Sequence, residues 1–286
     1  MSRNTGRKKA SSPAPAQAVQ PAPTQTTGLS YVTPTEFVEL PSRGQFYSAD
    51  HPLHNQETIE LRYMTAKDED ILTSQALLKN GLAIDRLVSN LIVDKSINPD
   101  DLLIGDKNAL LVAARVSGYG ADYTVQVSCP SCGTAQAHTF DLTAFENNEG
   151  IQPDENSDSG VTATDNGTFT AVLPRTGYTA EFRLFTAQDE KNAMQTSVKK
   201  AKHKLDASAS TDLLKILVVS VNDVTDRTEV NNFIDNMPAQ DARHIRACLQ
   251  VVTPNVDMNQ PCECDNCGSV ADVEVPFTAE FFWPKQ

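Results

Sequence analysis

Two short stretches carry the residues best suited to chemistry: Cys129-Pro-Ser-Cys132-Gly133 and Cys264-Asp-Asn-Cys267-Gly268. A thiolate is a soft ligand, and Cys-x-x-Cys places two sulfurs on one side of a metal ion. The glycine after the second cysteine permits the tight turn that brings backbone N–H groups toward the sulfurs. One knuckle supplies two ligands, so two knuckles complete the four-sulfur tetrahedron that Zn²⁺ prefers. The expected metal ligands are therefore Cys129, Cys132, Cys264 and Cys267, around one structural Zn²⁺. Full sulfur coordination leaves no open position for water, so the expected site is structural and not catalytic. The knuckles lie 135 residues apart, so separate reduced thiols, a redox pair and intermolecular sites stay open. A redox pair would usually head a helix after a strand, whereas these sit between predicted strands. Cys262 forms a Cys-x-Cys with Cys264 and is a substitute ligand; Cys248 falls on a predicted helix and reads as an inert core residue.

Nothing else gathers into a reactive constellation. The five histidines (His51, His54, His138, His203, His244) do not cluster with an acid and a nucleophile, and His51 and His54 read as solvent-facing loop residues. Lys199, Lys200, Lys202 and Lys204 form a basic helix end, which suits the negative pole of a helix. No phosphate-cradling loop, serine elbow or metalloprotease motif occurs, so no catalytic residue is expected.

The elements that must position the knuckles repeat. Glu60-Leu-Arg-Tyr-Met-Thr-Ala-Lys-Asp-Glu69 and Glu181-Phe-Arg-Leu-Phe-Thr-Ala-Gln-Asp-Glu190 agree at six of ten positions. Each follows a Leu-Pro pair, Leu40-Pro41 or Leu173-Pro174. Each precedes apolar helices, a helix headed by an aspartate (Asp106, Asp241), a strand and a knuckle. The pattern predicts an α+β protein of two tandem-duplicated halves. Each half holds strands, helices and a Cys-x-x-Cys-Gly hairpin, and together they form a zinc-ribbon-like four-cysteine site. Within it, Thr65 and Thr186 cap helices, and Leu213 to Val219 reads as one helix.

Residues 1–35 are rich in Ala, Pro, Ser, Gln and Thr and carry four basic residues and no acid. They read as a disordered basic tail. The repeats span 36–143 and 168–286, joined by an acidic linker at 144–167. The chain's net charge is −13, so the body after the tail carries −17. That charge opposes wrapping a phosphate backbone. No run of about 18 apolar residues exists, so no membrane span is expected; an apolar signal core is also missing, so secretion is not expected.

Four runs share a further likeness. They are Leu40-Pro41-Ser42-Arg43-Gly44, the stretch from Met64 to Leu72, the stretch from Leu103 to Leu110, and Gly118-Tyr119-Gly120. With the closing Phe281-Phe282-Trp283-Pro284, they resemble the baseplate proteins of T4-like contractile-tailed bacteriophages, in particular the baseplate hub subunit or hub-assembly protein. The likeness covers roughly 36–286 and is densest in 40–133. It implies a structural or assembly role in the central baseplate, with other hub or wedge proteins as partners. The implied location is the virion baseplate or the cytoplasm of the infected host. It brings no catalytic residues. Phe281, Phe282 and Trp283 are either a docking anchor or a cap on the core. Two rivals from other classes are a zinc-ribbon nucleic-acid-binding or transcription-associated protein, and a redox enzyme cycling Cys129 and Cys132.

Overall fold

Helices and short antiparallel strands alternate along the chain. The computed structural model describes residues 32–79, 81–150, 160–164, 166–202, 209–275 and 281–282. The expected tail at 1–35 lies outside them except for its last four residues, and Thr35 already belongs to a strand.

The first half opens with β1 (Thr35–Glu39) and β2 (Thr58–Arg62), paired antiparallel. Helices α1 (Ala66–Thr73), α2 (Gln75–Lys79), α3 (Ala83–Leu91) and α4 (Ile104–Tyr119) follow. Then come the strands β3 (Asp122–Ser128) and β4 (Ala135–Asp141). Short strands β5 (Glu146–Asn148) and β6 (Val161–Ala163) lie inside the stretch read as an acidic linker. The second half holds β7 (Thr168–Val172), β8 (Thr179–Arg183), α5 (Ala187–Lys202), α6 (Ala209–Leu217) and β9 (Val218–Val221). It continues through α7 (Arg227–Asn236), α8 (Ala239–Val252), β10 (Asn255–Asp257), β11 (Asn259–Glu263) and β12 (Val270–Glu274). The chain is thus a mixed α+β protein. Its largest sheet runs β6-β7-β8-β9, and β5 pairs with β10.

One expected helix ends early. α6 stops at Leu217, and Val218-Val219-Ser220-Val221 turns into β9 beside β8. β-branched residues favour the pleated surface once a sheet edge is available.

Polar side chains fix the same joints in both halves. Burial alone would raise the Asp68 carboxyl. Two hydrogen bonds from Arg62 (2.7 and 2.8 Å), with the N–H and hydroxyl of Thr65, override burial and hold it down at about 2. Asp189 is held low in the same way, against its burial, by Arg183 and Thr186. A second pair of aspartates sits three residues into α4 and α8, and both are fully buried. Asp106 accepts from the Ser42 N–H (3.0 Å), the Ser42 hydroxyl (2.6 Å) and the Tyr47 hydroxyl (2.6 Å). Asp241 accepts from the N–H groups of Arg175 (2.7 Å) and Thr176 (3.1 Å). Each therefore ties a helix start to the turn after a Leu-Pro pair and satisfies donors that would otherwise be buried unpaired.

Residues from Thr33 onward form one unit with one apolar core. α4 meets the segment after α8 so closely that a Cβ on Gly105 would stand 2.0 Å from the Pro254 carbonyl oxygen. The N–H of Ala187 donates to the Leu102 carbonyl (2.8 Å) and that of Ile104 to the Phe185 carbonyl (3.1 Å). Lys107, itself buried, pairs with Asp85 (2.9 Å) in its own half and reaches across the same seam to the half-exposed Glu190 (2.7 Å).

Candidate metal centre

β3 and β4 pair in register from Asp122↔Asp141 to Ser128↔Ala135, and Cys129 and Cys132 occupy the connecting turn. β11 and β12 pair from Asn259↔Glu274 to Glu263↔Val270, and their turn holds Cys264 and Cys267. The two turns close alike. Gly133 N–H donates to the Cys129 carbonyl and Gly268 N–H to the Cys264 carbonyl, both at 2.8 Å. Both glycines have left-handed φ, 73° and 67°, which a side chain resists. Nothing crowds a Cβ at either, so the backbone angle, not space, requires glycine there.

The two turns face each other. The four sulfurs all lie within 4.8 Å of one another. Cys129 Sγ is 3.8 Å from Cys267 Sγ, and Cys132 Sγ is 3.7 Å from Cys264 Sγ. A tetrahedron with metal–sulfur bonds of about 2.3 Å has edges of about 3.8 Å. A disulfide would need about 2.05 Å. The cluster's size and its all-sulfur donor set fit a tetrahedral thiolate metal site. The four cysteines can hold a metal ion together.

Electrostatics favours a cation at the centre. Backbone N–H groups of Cys132 and Ser131 lower the Cys129 thiol. The Thr134 hydroxyl, then its N–H, brings Cys132 down to about 6. The Ser269 N–H pulls Cys267 down, yet hydrogen bonds with Cys132 and Cys264 dominate and leave it at about 12. Four thiolates at this spacing repel one another, and a divalent cation removes that repulsion.

Side chains that the motif did not announce lock the turns face to face. Gln136 on β4 donates from Nε2 to the Glu263 carbonyl (2.7 Å) and accepts at Oε1 from the Asp265 N–H (3.0 Å). The hydroxyls of Ser131 and Ser269 are 2.9 Å apart, and Asn266 donates to the Thr134 hydroxyl (3.2 Å). Residue type alone gives no signal for these contacts, because each crosses more than 120 residues of sequence.

Other candidates fall elsewhere. Cys262 is outside the four-sulfur cluster and is buried. Counting back by the spacing of the knuckles, it stands where Val127 stands in β3, which explains a small apolar side chain there. Cys248 is buried on α8, with its sulfur 3.6 Å from His244 Nε2. His51 and His54 are half-buried rather than solvent-facing. His51 stacks on Tyr47 at 4.5 Å, and His54 Nδ1 meets the Tyr47 carbonyl at 2.7 Å. Lys200 pairs with Asp212; His203, Lys204 and Trp283 lie outside the described residues. Phe281 and Phe282 are 1% and 3% exposed, and Phe281 meets Tyr123 edge-on at 5.2 Å. They cap the core of the first half.

Among the described residues, no helix is long and apolar enough to cross a membrane. Compared with known proteins, residues 34–283 match a family model described as T4 bacteriophage base plate protein. No curated protein and no solved structure matches.

Proposed function

Because this chain belongs to the T4 bacteriophage base plate protein family, whose role is structural, we propose that it is a hub component or hub-assembly component of a contractile-tailed phage baseplate. Its two halves are a tandem duplication, fastened by one structural Zn²⁺ on Cys129, Cys132, Cys264 and Cys267. The observation that carries the zinc reading is the four-sulfur cluster, drawn equally from two turns, with separations of 3.7 and 3.8 Å. The duplication is supported by the matched joints: Arg62-Asp68-Thr65 beside Arg183-Asp189-Thr186, and Asp106 beside Asp241. Bound zinc would supply positive charge and a cross-link, with no open coordination position for a substrate. The reading is therefore non-enzymatic. Partners are other hub or wedge proteins, met at the virion baseplate or in the host cytoplasm during assembly. Residues 1–35 act as a basic tail and 144–167 join the repeats.

Glu263, Asp265, Asp272 and Glu274 surround the second knuckle, which weighs against a nucleic-acid-binding ribbon. Elemental analysis of the purified protein tests the reading. One Zn per chain in the wild type, lost in both Cys129→Ser and Cys267→Ser, is the expected result. Metal retained in both variants, or none in the wild type, ends the shared-site reading.

A further inference from the structure

The first strands of the two halves are flanked differently. Aligned on their Leu-Pro pairs, Thr35, Glu36, Phe37 and Val38 of β1 answer to Thr168, Phe169, Thr170 and Ala171 of β7. The correspondence rests on the tandem-repeat reading. Both strands pair on one side with the next strand of their half, β2 or β8. On its other side β7 carries β6, with Val161 opposite Ala171 and Thr162 opposite Thr170. β1 has no second strand among the described residues, and its sheet stops at two.

The phase of the ladder identifies the groups left over. Tyr63 N–H donates to the Pro34 carbonyl (2.9 Å) and Leu40 N–H to the Glu57 carbonyl (2.8 Å). Alternate residues of an antiparallel pair exchange both bonds, so Pro34, Glu36, Val38 and Leu40 face β2. Thr35, Phe37 and Glu39 therefore turn their N–H and C=O groups outward, and Phe37 is 70% exposed. In β7 the matching groups of Thr168 and Thr170 are the ones that meet β6; Thr164 N–H donates to the Thr168 carbonyl at 2.8 Å. β6 turns into β7 through Gly167, at φ 72°. Its counterpart is Pro34, whose ring forbids that angle and which lies in the ladder with β2 instead. The hairpin that covers β7 is thus closed to β1.

A bare strand edge recruits strands. A groove of about 210 Å³ lies beside this one, walled by β1, α4 and residues 142–147. Val38, Ala113, Val116 and Phe145 line it and are half-buried. In β6 the residue that enters the core is Val161, 1% exposed; a strand set on β1 in the same register would place its counterpart opposite Val38. Two places on, opposite buried Phe169, β6 has Ala163. The first half has Glu36 there. Glu36 and Glu39 line the groove, and no ion pair holds either among the described residues.

We infer that the outer edge of β1 takes an added antiparallel strand from a partner protein, an extended segment with an apolar residue followed two places on by a lysine or arginine. The apolar side chain packs beside Val38, the cation pairs with Glu36, and the residue between them exchanges two backbone hydrogen bonds with Phe37.

The test titrates a fluorescent peptide, Ser-Gly-Val-Thr-Lys-Thr-Asn-Gly, into the full-length protein. Saturable binding at one site is expected, with amide exchange at Phe37 and Glu39 slowed at least tenfold and that at Val38 unchanged. Methylating the amide nitrogen of the threonine before the lysine should abolish binding; methylating that of the lysine, which points away, should not. Phe37→Pro removes an outward N–H without touching the ladder to β2, and should abolish binding with the fold intact by circular dichroism. Phe37→Ala should retain it. Glu36→Lys should weaken binding at least tenfold and admit a peptide with glutamate in place of lysine. No saturable binding, or unslowed exchange at Phe37, overturns the proposal. Binding that survives Phe37→Pro and ignores both methylations overturns it in favour of loose charge attraction. Self-association lost in Phe37→Pro, without peptide uptake, overturns it in favour of a second copy. Equal binding of a peptide with valine and lysine exchanged overturns the register taken from β7 and the ligand with it. Zinc content of the same samples separates the readings: a zinc-loaded chain that ignores the peptide sinks the edge alone, and a metal-free chain that binds it sinks the metal site alone.

Discussion

Tyr123 and Met258 each stand about six residues before a knuckle, yet Tyr123 lies under Phe281 and Met258 borders a groove. The aspartate anchors differ in the same sense. Asp106 gathers the Tyr47 and Ser42 hydroxyls as well as a backbone N–H, whereas Asp241 takes backbone N–H groups alone. The joint is thus closed partly by side-chain hydroxyls in the first half and by backbone donors in the second. Like joints with unlike donors teach that one anchor geometry can be met by hydroxyls or by the backbone alone.

The largest break in this comparison is at the sulfurs, where the halves are equal. Cys129→Ser and Cys267→Ser should each abolish metal binding and cost more than about 4 kcal/mol, a fall in Tm of roughly 8–16 °C by scanning calorimetry. A large loss from only one of the two would make the halves unequal here as well. Next, Phe281→Ala should destabilise by about 3–4 kcal/mol in urea unfolding, since it opens a cavity over Tyr123. Leu213→Ala, at a half-buried position of α6, should cost less than about 1.5 kcal/mol. Equal losses would erase the sealed-versus-open distinction. Third, Asp106→Ala should cost about 3 kcal/mol, and Asp241→Ala about 2 kcal/mol, because the first strands more buried donors.

The smallest effect concerns acid. Asp68 and Asp189 sit below the ordinary carboxylate range when folded. Their contribution is therefore complete above the unfolded value near 3.8 and is lost as pH falls through the folded value, about 2 for Asp68. Asp106 is raised, chiefly by burial, so its protonation on acidification favours the folded state. Asp68→Asn should flatten the fall in stability between pH 4 and pH 2 by about 1 kcal/mol. Asp106→Asn should instead act above pH 4, removing the stabilisation gained as pH falls from the raised folded value of Asp106 to the unfolded value near 3.8.

Much of this frame is legible in the sequence wherever physics acts over a few residues. The Cys-x-x-Cys-Gly spacing announces both turns because ligand pairs and the left-handed glycine are local demands. Thr65 with Asp68, and Thr186 with Asp189, announce helix starts for the same reason. Val218 and Val219 become strand rather than helix because apolar periodicity cannot tell a buried helix end from a strand, and the sheet edge that decides is 36 residues away, where Phe182 pairs with Val218. The three-residue strands β5 and β10 leave no periodic trace; each exists because the other is there. Gln136, Lys107 and Tyr47 look ordinary in sequence, since their partners lie far along the chain.

The distance between the two knuckles also sets a schedule. A ribosome adding about 5–20 residues per second needs on the order of ten seconds to pass from Cys129 to Cys264. Through that interval the first pair of thiols must wait without its partners, open to oxidation or to a passing ion. The moment the second turn emerges, one event can certify that both halves were made and met in the right register, before any neighbouring protein is engaged.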